Sequence, residues 1–255
     1  MKSRTHIGHV PFDPLTRAEA LSAIDQLAAA GHGGYIVTPN IDHIVMAQHD
    51  HEVRAVYADA AVSLADGQPV VWLSRLFGMP VPERVSGSDL IEPLMAMAAA
   101  HRYPVYLFGA SPAVSAEASR RLRGRHPHLS IAGRNTSVWS IDDTTAPEDS
   151  PVVRAVHASG ARIVILALGC PKQELWMARH AAALAPAVAI GLGASLDFVA
   201  GAVTRAPGWV SAAGLEWLFR LVQEPRRLAH RYLVRDLQIV PIVARQFHQL
   251  AFRKD

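Results

Sequence analysis

The stretch Ala61-Val62-Ser63-Leu64-Ala65-Asp66-Gly67 carries the reading of the fold. Ala61, Val62 and Leu64 form a short apolar run of the kind buried in a parallel strand. Asp66-Gly67 ends the run, and Pro69 suits the first turn of a following helix. Ligands of open α/β sheets bind outside the carboxyl ends of the strands, where a carboxylate can serve as a general base. A turn aspartate or a helix cap is the plain alternative for a lone Asp-Gly.

The neighbouring segments bear on that choice. Residues 11–30 place Leu15, Ala18, Leu21, Ile24 and Leu27 at helical spacing, with Thr16 as N-cap and Gly31 as stop. Residues 33–37 read as a strand that ends at Thr38-Pro39-Asn40, and residues 41–57 as one long helix. Thr38, Asn40 and Asp66 then fall at the same end of neighbouring parallel strands. Residues 68–77 read as a helix, and a further helix runs through Ala100 with Ser88 or Asp89 as its cap. Arg84 precedes that helix and suits either a phosphate or an ion pair with Glu83 or Asp89. Strands at 105–109, 129–133, 162–168 and 187–190 alternate with helices, and residues 140–149 read as a polar loop. This alternation predicts a doubly wound, mostly parallel α/β sheet.

Composition narrows the class. Half of the 255 residues are apolar, enough for a substantial core. The single cysteine, Cys170, excludes an internal disulfide framework and a cysteine-rich zinc site. No apolar run reaches the length of a membrane span, and no long apolar stretch follows the basic first residues, so a cytoplasmic location is expected. The net charge of +3 is uneven. From Gly201 onward nine Lys/Arg stand against four Asp/Glu, while the remainder carries a net of −2. That asymmetry points to an anionic partner for the C-terminal fifth (phospholipid, diphosphate or nucleic acid), or else to a solvated basic helix face.

Glycine turns follow three strands, at Gly109, at Gly169 and at Gly191 with Gly193, and each can bring backbone N–H groups close to a diphosphate. None matches G-x-G-x-x-G or a P-loop, which disfavours nicotinamide enzymes and NTPases. There is no G-x-S-x-G elbow. His43, His49 and His51 lack the H-E-x-x-H spacing, and Asp66, Asp89 and Asp197 form no D-x-D pair, so no metal or other cofactor is expected. Cys170 reads as a packed small residue or, less simply, as a nucleophile.

The organisation expected is a core over residues 1–200 and a basic helical appendage over 201–255. In the appendage Arg220, Arg226, Arg227, Arg231 and Arg235 lie beside Leu228, Tyr232 and Leu233, and residues 237–252 are strongly apolar. A basic face next to an apolar one suits a helix on an anionic membrane. Packing on its own core or on a second subunit of a homo-oligomer is the alternative. On the first reading, a chain ended after Ala213 keeps a folded core.

An ordered set of motifs joins these segments. It comprises Thr38-Pro39-Asn40, Ala65-Asp66-Gly67, Glu83-Arg84-Val85-Ser86-Gly87-Ser88-Asp89-Leu90 and Leu107-Phe108-Gly109. It continues with Gly169-Cys170-Pro171-Lys172-Gln173-Glu174, Gly191-Leu192-Gly193-Ala194, Arg205-Ala206-Pro207, and Gly214-Leu215-Glu216-Trp217 through Glu224-Pro225-Arg226-Arg227. The set resembles the WecG/TagA/CpsF bacterial glycosyltransferases, glycosyltransferase family 26. The resemblance implies a Rossmann-like core with a basic C-terminal appendage. It implies inverting, metal-independent transfer of a hexose (N-acetylmannosamine type or glucose) from a UDP-sugar. The acceptor would be a polyprenyl-diphosphate-linked sugar on the inner membrane face, in surface-polysaccharide synthesis. By the same resemblance Asp66 is the base and Thr38 the active-site threonine, and Asn40, Arg84 and Gln173 line the pocket. Arg220, Arg231 and either Arg226 or Arg227 would reach the diphosphate or lipid head groups. One carboxylate base suffices for inversion. The rival readings are a non-catalytic, peripheral UDP-sugar-binding protein and a nucleic-acid binder. The second lacks an aromatic stacking platform and any recognised module.

Overall fold

The computed structural model describes residues 3–252, apart from the side chains of Ala212 and Arg227. Six parallel strands form the central sheet: β3 (Tyr35–Val37), β4 (Val62–Ser63), β5 (Val105–Gly109), β6 (Ile131–Asn135), β7 (Ile163–Ala167) and β8 (Val188–Gly191). Their order is β4-β3-β8-β7-β5-β6. A separate antiparallel hairpin, β1 (Thr5–Ile7) with β2 (Val10–Phe12), precedes them.

All the strands but the edge strand β6 bury both faces, so their residues alternate between two cores. Tyr35, Val37, Phe108, Val164 and Leu166 face one side, with α2 (Ile41–His49), α3 (His51–Asp59), α7 (Pro151–Ser159) and α8 (Lys172–Leu184). Ile36, Leu107, Ile163, Ile165 and Ile190 face the other, with α1 (Arg17–Ala30), α5 (Gly87–His101), α6 (Pro112–Arg125) and α9 (Ser195–Ala200). This period of two on a doubly covered sheet is the Rossmann-like, doubly wound arrangement. Adjacent strands β3 and β8 send their following helices, α2 and α9, to opposite faces. That divergence opens a crevice at the strands' carboxyl ends.

The structure departs from the sequence reading at four places. Residues 11–30 are not one helix: Val10-Pro11-Phe12 pairs with residues 5–7, and α1 starts after a Thr16–Glu19 capping box. The hairpin is fixed by full burial of Ile7, Val10 and Phe12 and by Asp13, whose Oδ2 accepts from the Ser63 N–H at 2.8 Å. It thereby covers the exposed edge of the short strand β4. The helix expected over 41–57 breaks at Asp50, whose carboxylate accepts from the Glu52 and Val53 N–H groups and starts α3. Helix α5 is capped by Ser86, not Ser88 or Asp89. Strand β6 lies two residues later than expected, pairing with β5 as far as Asn135.

The C-terminal part is a chain of short helices: α10 (Gly208–Ala212) and α11 (Glu216–Gln223), joined by a turn that meets α4 (Gln68–Leu76) of the core, then α12 (Pro225–His230), a π-turn (Arg231–Arg235), a 3-10 turn (Asp236–Gln238) and α13 (Ile239–Ala251). Helix α13 packs on the core. Ile242 is buried, Ile239, Val243 and Leu250 are partly covered, and Gln246 bonds the hairpin at Gly8 N (2.8 Å) and His6 O (2.7 Å). Its outer side leaves Val240, Phe247 and Phe252 exposed. The turn before α11 rests on Gly214, at φ +74°, where a Cβ would stand 2.7 Å from the Trp72 ring of α4. Gly214→Ala therefore combines left-handed strain with a clash. It is expected to cost about 1–3 kcal/mol in urea unfolding, and an unchanged midpoint would show that the turn does not seat the appendage.

Candidate active site

Four strand ends converge on a cleft of about 780 Å³. Thr38 and Asn40 follow β3, Asp66 follows β4, Gly169 to Gln173 follow β7, and Leu192 to Ala194 follow β8. The appendage closes the opposite wall with Glu216, Trp217, Arg220, Arg231 and Tyr232.

Asp66 is held by its own backbone, its N–H donating to Pro39 O at 3.0 Å. Burial, and then the Glu216 carboxylate, push its carboxyl up to about 7, while Arg84 and Arg220 pull the other way. A carboxyl titrating there can take a proton near neutral pH. Thr38 Oγ1 donates to Gly191 O at 3.2 Å and ties β3 to β8. Asn40 caps α2 through its Oδ1, which also accepts from Arg231 Nη2 at 3.1 Å. Gln173, in the first turn of α8, reaches the turn after β8: its Oε1 accepts from the Gly193 N–H (3.2 Å), while its Nε2 donates to the neighbouring Glu174 Oε1 (2.8 Å).

The cleft arginines differ in their commitments. Arg84 is shared between Asp89 (2.8 Å) and Glu216 (2.7 Å), which settles its ion pairing away from Glu83. Arg231 pairs with Asp42 at 3.0 Å, and Arg235 Nη2 donates to the same carboxylate at 2.7 Å. Asp42 itself is 2 % exposed. Arg220 lies over the Phe198 ring, 5.7 Å from its centroid, with its buried Nε unpartnered. It is thus well placed to meet an incoming anion.

Among the described residues His43, Cys170 and Glu174 each bring one candidate ligand atom within 4.8 Å of the others. Burial pushes the Cys170 thiol and the Glu174 carboxyl up and the His43 imidazole down to about 3, so all three favour their neutral forms. His43 Nδ1 already accepts the Asn40 N–H at 2.8 Å, which leaves the ring proton on Nε2. Neither nitrogen offers a free lone pair, and this set does not fit a cation. The raised Cys170 thiol also argues against a nucleophile.

The family model of the WecG/TagA/CpsF glycosyl transferases matches residues 5–253. The chain belongs to that family. Sugar transfer is therefore the chemistry to set against the cleft of this glycosyltransferase family member. Of the residues singled out from sequence, Thr38, Asn40, Asp66, Arg84, Gly169, Gln173, Gly193, Arg220 and Arg231 line the cleft. Gly191 stands behind it, contributing its carbonyl to Thr38. Gly109 does not line it: at φ +92° a Cβ would meet the Ala167 backbone at 2.7 Å, so this glycine serves the close approach of β5 to β7. Arg226 is exposed outside the cleft, and the Arg227 side chain lies outside the described residues. Sequence reasoning did not single out Asp42, the anchor of two appendage arginines, or Glu216. The only local signals were their places two residues after Asn40 and inside Gly214-Leu215-Glu216-Trp217.

No described helix is long and apolar enough to cross a membrane.

Proposed function

We propose that this family member is an inverting, metal-independent glycosyltransferase that moves a hexose from a UDP-sugar to a polyprenyl-diphosphate-linked sugar at the inner membrane face. The observation that carries this reading is Asp66, a carboxyl raised to about 7, at the carboxyl end of β4 beneath the appendage arginines. The acceptor hydroxyl oxygen attacks the anomeric carbon as its proton passes to Asp66. The bond from that carbon to the β-phosphate oxygen breaks, and its electron pair leaves with UDP. Arg84 and Arg220 can meet the charge that develops on the diphosphate, the task a metal would otherwise perform. Of the other carboxylates lining the cleft, Asp42 is paired with Arg231 and Arg235, and Glu216 accepts hydrogen bonds from Arg84 and from Ser211 Oγ (3.1 Å). That commitment favours direct displacement over a glutamyl intermediate.

The test is a donor panel with a short-chain lipid-linked acceptor, reading UDP release and product anomer in EDTA. Turnover of one UDP-hexose with inverted product is expected. Loss of activity restored by Mg²⁺ or Mn²⁺ would reject the metal-independent part, and a retained anomer would reject single displacement.

A further inference from the structure

Arg84 and Asp66 both belong to the core, yet Glu216 of the appendage bonds the first and lines the same cleft as the second. Glu216 is the first residue of α11, where the helix N-terminus favours a negative charge. Its Oε2 accepts from Arg84 Nη1 at 2.7 Å and from Ser211 Oγ at 3.1 Å. The Gly214 turn against Trp72 fixes where α11 begins. On the other side of Arg84, Asp89 is held by Ser86 Oγ (2.7 Å) and by Arg205. The guanidinium is thus clamped from the core by Asp89 and from the appendage by Glu216. The side chains of Arg84, Asp89 and Glu216 are 15 %, 14 % and 20 % exposed, so solvent screens the clamp far less than a surface pair.

We propose that Glu216 is a positioning residue through which the appendage completes the catalytic centre: it fixes Arg84 for the donor diphosphate and places a negative charge against Asp66. This rests on the transferase reading above. The charged and titratable groups acting on Asp66 are Glu216 and Arg220 from α11, Arg84 from the segment before α5, Asp89 from α5, and Tyr232 from the π-turn. Glu216 is the larger of the two acidic influences, and it is present only when the appendage is seated. The base would then be tuned toward neutrality by the same contact that joins the two parts of the chain.

The experiment compares the wild-type chain with Glu216→Gln and Glu216→Ala in pH profiles of kcat/KM for the donor. Glutamine keeps an acceptor for Arg84 and Ser211 but removes the charge. Asp66 must be ionised to act, so its limb rises with pH, and without the Glu216 charge that limb is expected at lower pH. The plateau should fall as well, because a weaker base transfers the proton less readily. Alanine also frees Arg84, and a further loss of about 10–100-fold in kcat/KM is expected, the worth of one charge-assisted hydrogen bond. A merely structural role for Glu216 would lower the profile without moving its limb. If the wild-type chain transfers hexose and the limb of Glu216→Gln coincides with it, the proposal fails and the transferase reading stands. If the wild-type chain transfers no hexose from any donor, both fail.

Discussion

Asp66→Asn is expected to cut turnover by about 10²–10⁴-fold, the usual worth of a positioned base, and to leave UDP affinity nearly intact. Asparagine has the same shape but cannot accept the acceptor's proton. The groups placed to meet the diphosphate, Arg84 and Arg220, are untouched by the change. Wild-type turnover should rise with pH through about 7, where the Asp66 carboxyl ionises, and the residual activity of the variant should lack that limb. Stability supplies a second readout with the opposite sign. The folded chain binds this proton more tightly than the unfolded one, so stability is lost as pH rises from about 4 toward about 7. The variant lacks that loss. Relative to wild type, its urea midpoint should be higher at pH 8 than at pH 5. Near-wild-type turnover in Asp66→Asn would remove this residue from the mechanism, whatever the midpoints showed.

The fold was legible where burial leaves a periodic or continuous signal. Residues 163–167 are apolar throughout because both faces of β7 are covered, and that run announces a central parallel strand. Helix α1 announces itself by Thr16 and Gly31, which cap it as read. The hairpin at 5–12 was missed because three-residue strands are too short for a pattern, and their pairing is fixed by long-range burial instead. The break at Asp50 was missed because apolar spacing continues across it, while the cap acts through one carboxylate. The candidate site divides in the same way. Thr38, Asn40, Asp66 and Gln173 each follow a strand, so topology alone brings them to one edge. Glu216 with Arg84 and Arg231 with Asn40 are 132 and 191 positions apart. No local spacing encodes such pairs. They depend on how the appendage folds back over the core. Gly109 shows the converse hazard, since a glycine after a strand can serve packing as well as a phosphate.

A chain ended after Ala213 is expected to lose both activity on the lipid-linked acceptor and much of its stability. Asp42, 2 % exposed, would lose Arg231 and Arg235. The seats of Leu228 and Ile242 would open as well, each worth about 1.5–3 kcal/mol. Two such seats are a large share of the net stability of an ordinary domain, about 5–15 kcal/mol. An independently folded core, the simplest expectation from sequence, is therefore not the expected result. Full-length Arg220→Ala separates chemistry from folding. It should lose at most about 1 kcal/mol in urea unfolding, the worth of its contact with the Phe198 ring, because its Nε has no hydrogen-bond partner to lose, and still drop turnover by about 10²-fold or more. The surface of the appendage supplies the membrane arm of the test. Trp209, Leu233, Val234, Leu237, Val240 and Phe247 are exposed there, as is Arg226, and each basic residue near an anionic bilayer adds about 1 kcal/mol. The full chain should float with anionic vesicles at low salt and be released at high salt, while the shortened chain stays in solution. Equal flotation with neutral vesicles would assign attachment to the apolar side chains alone. Full turnover of the lipid-linked acceptor by the shortened chain would show that the core needs no arginine from the appendage, and the cleft would then have to be read with one wall removed.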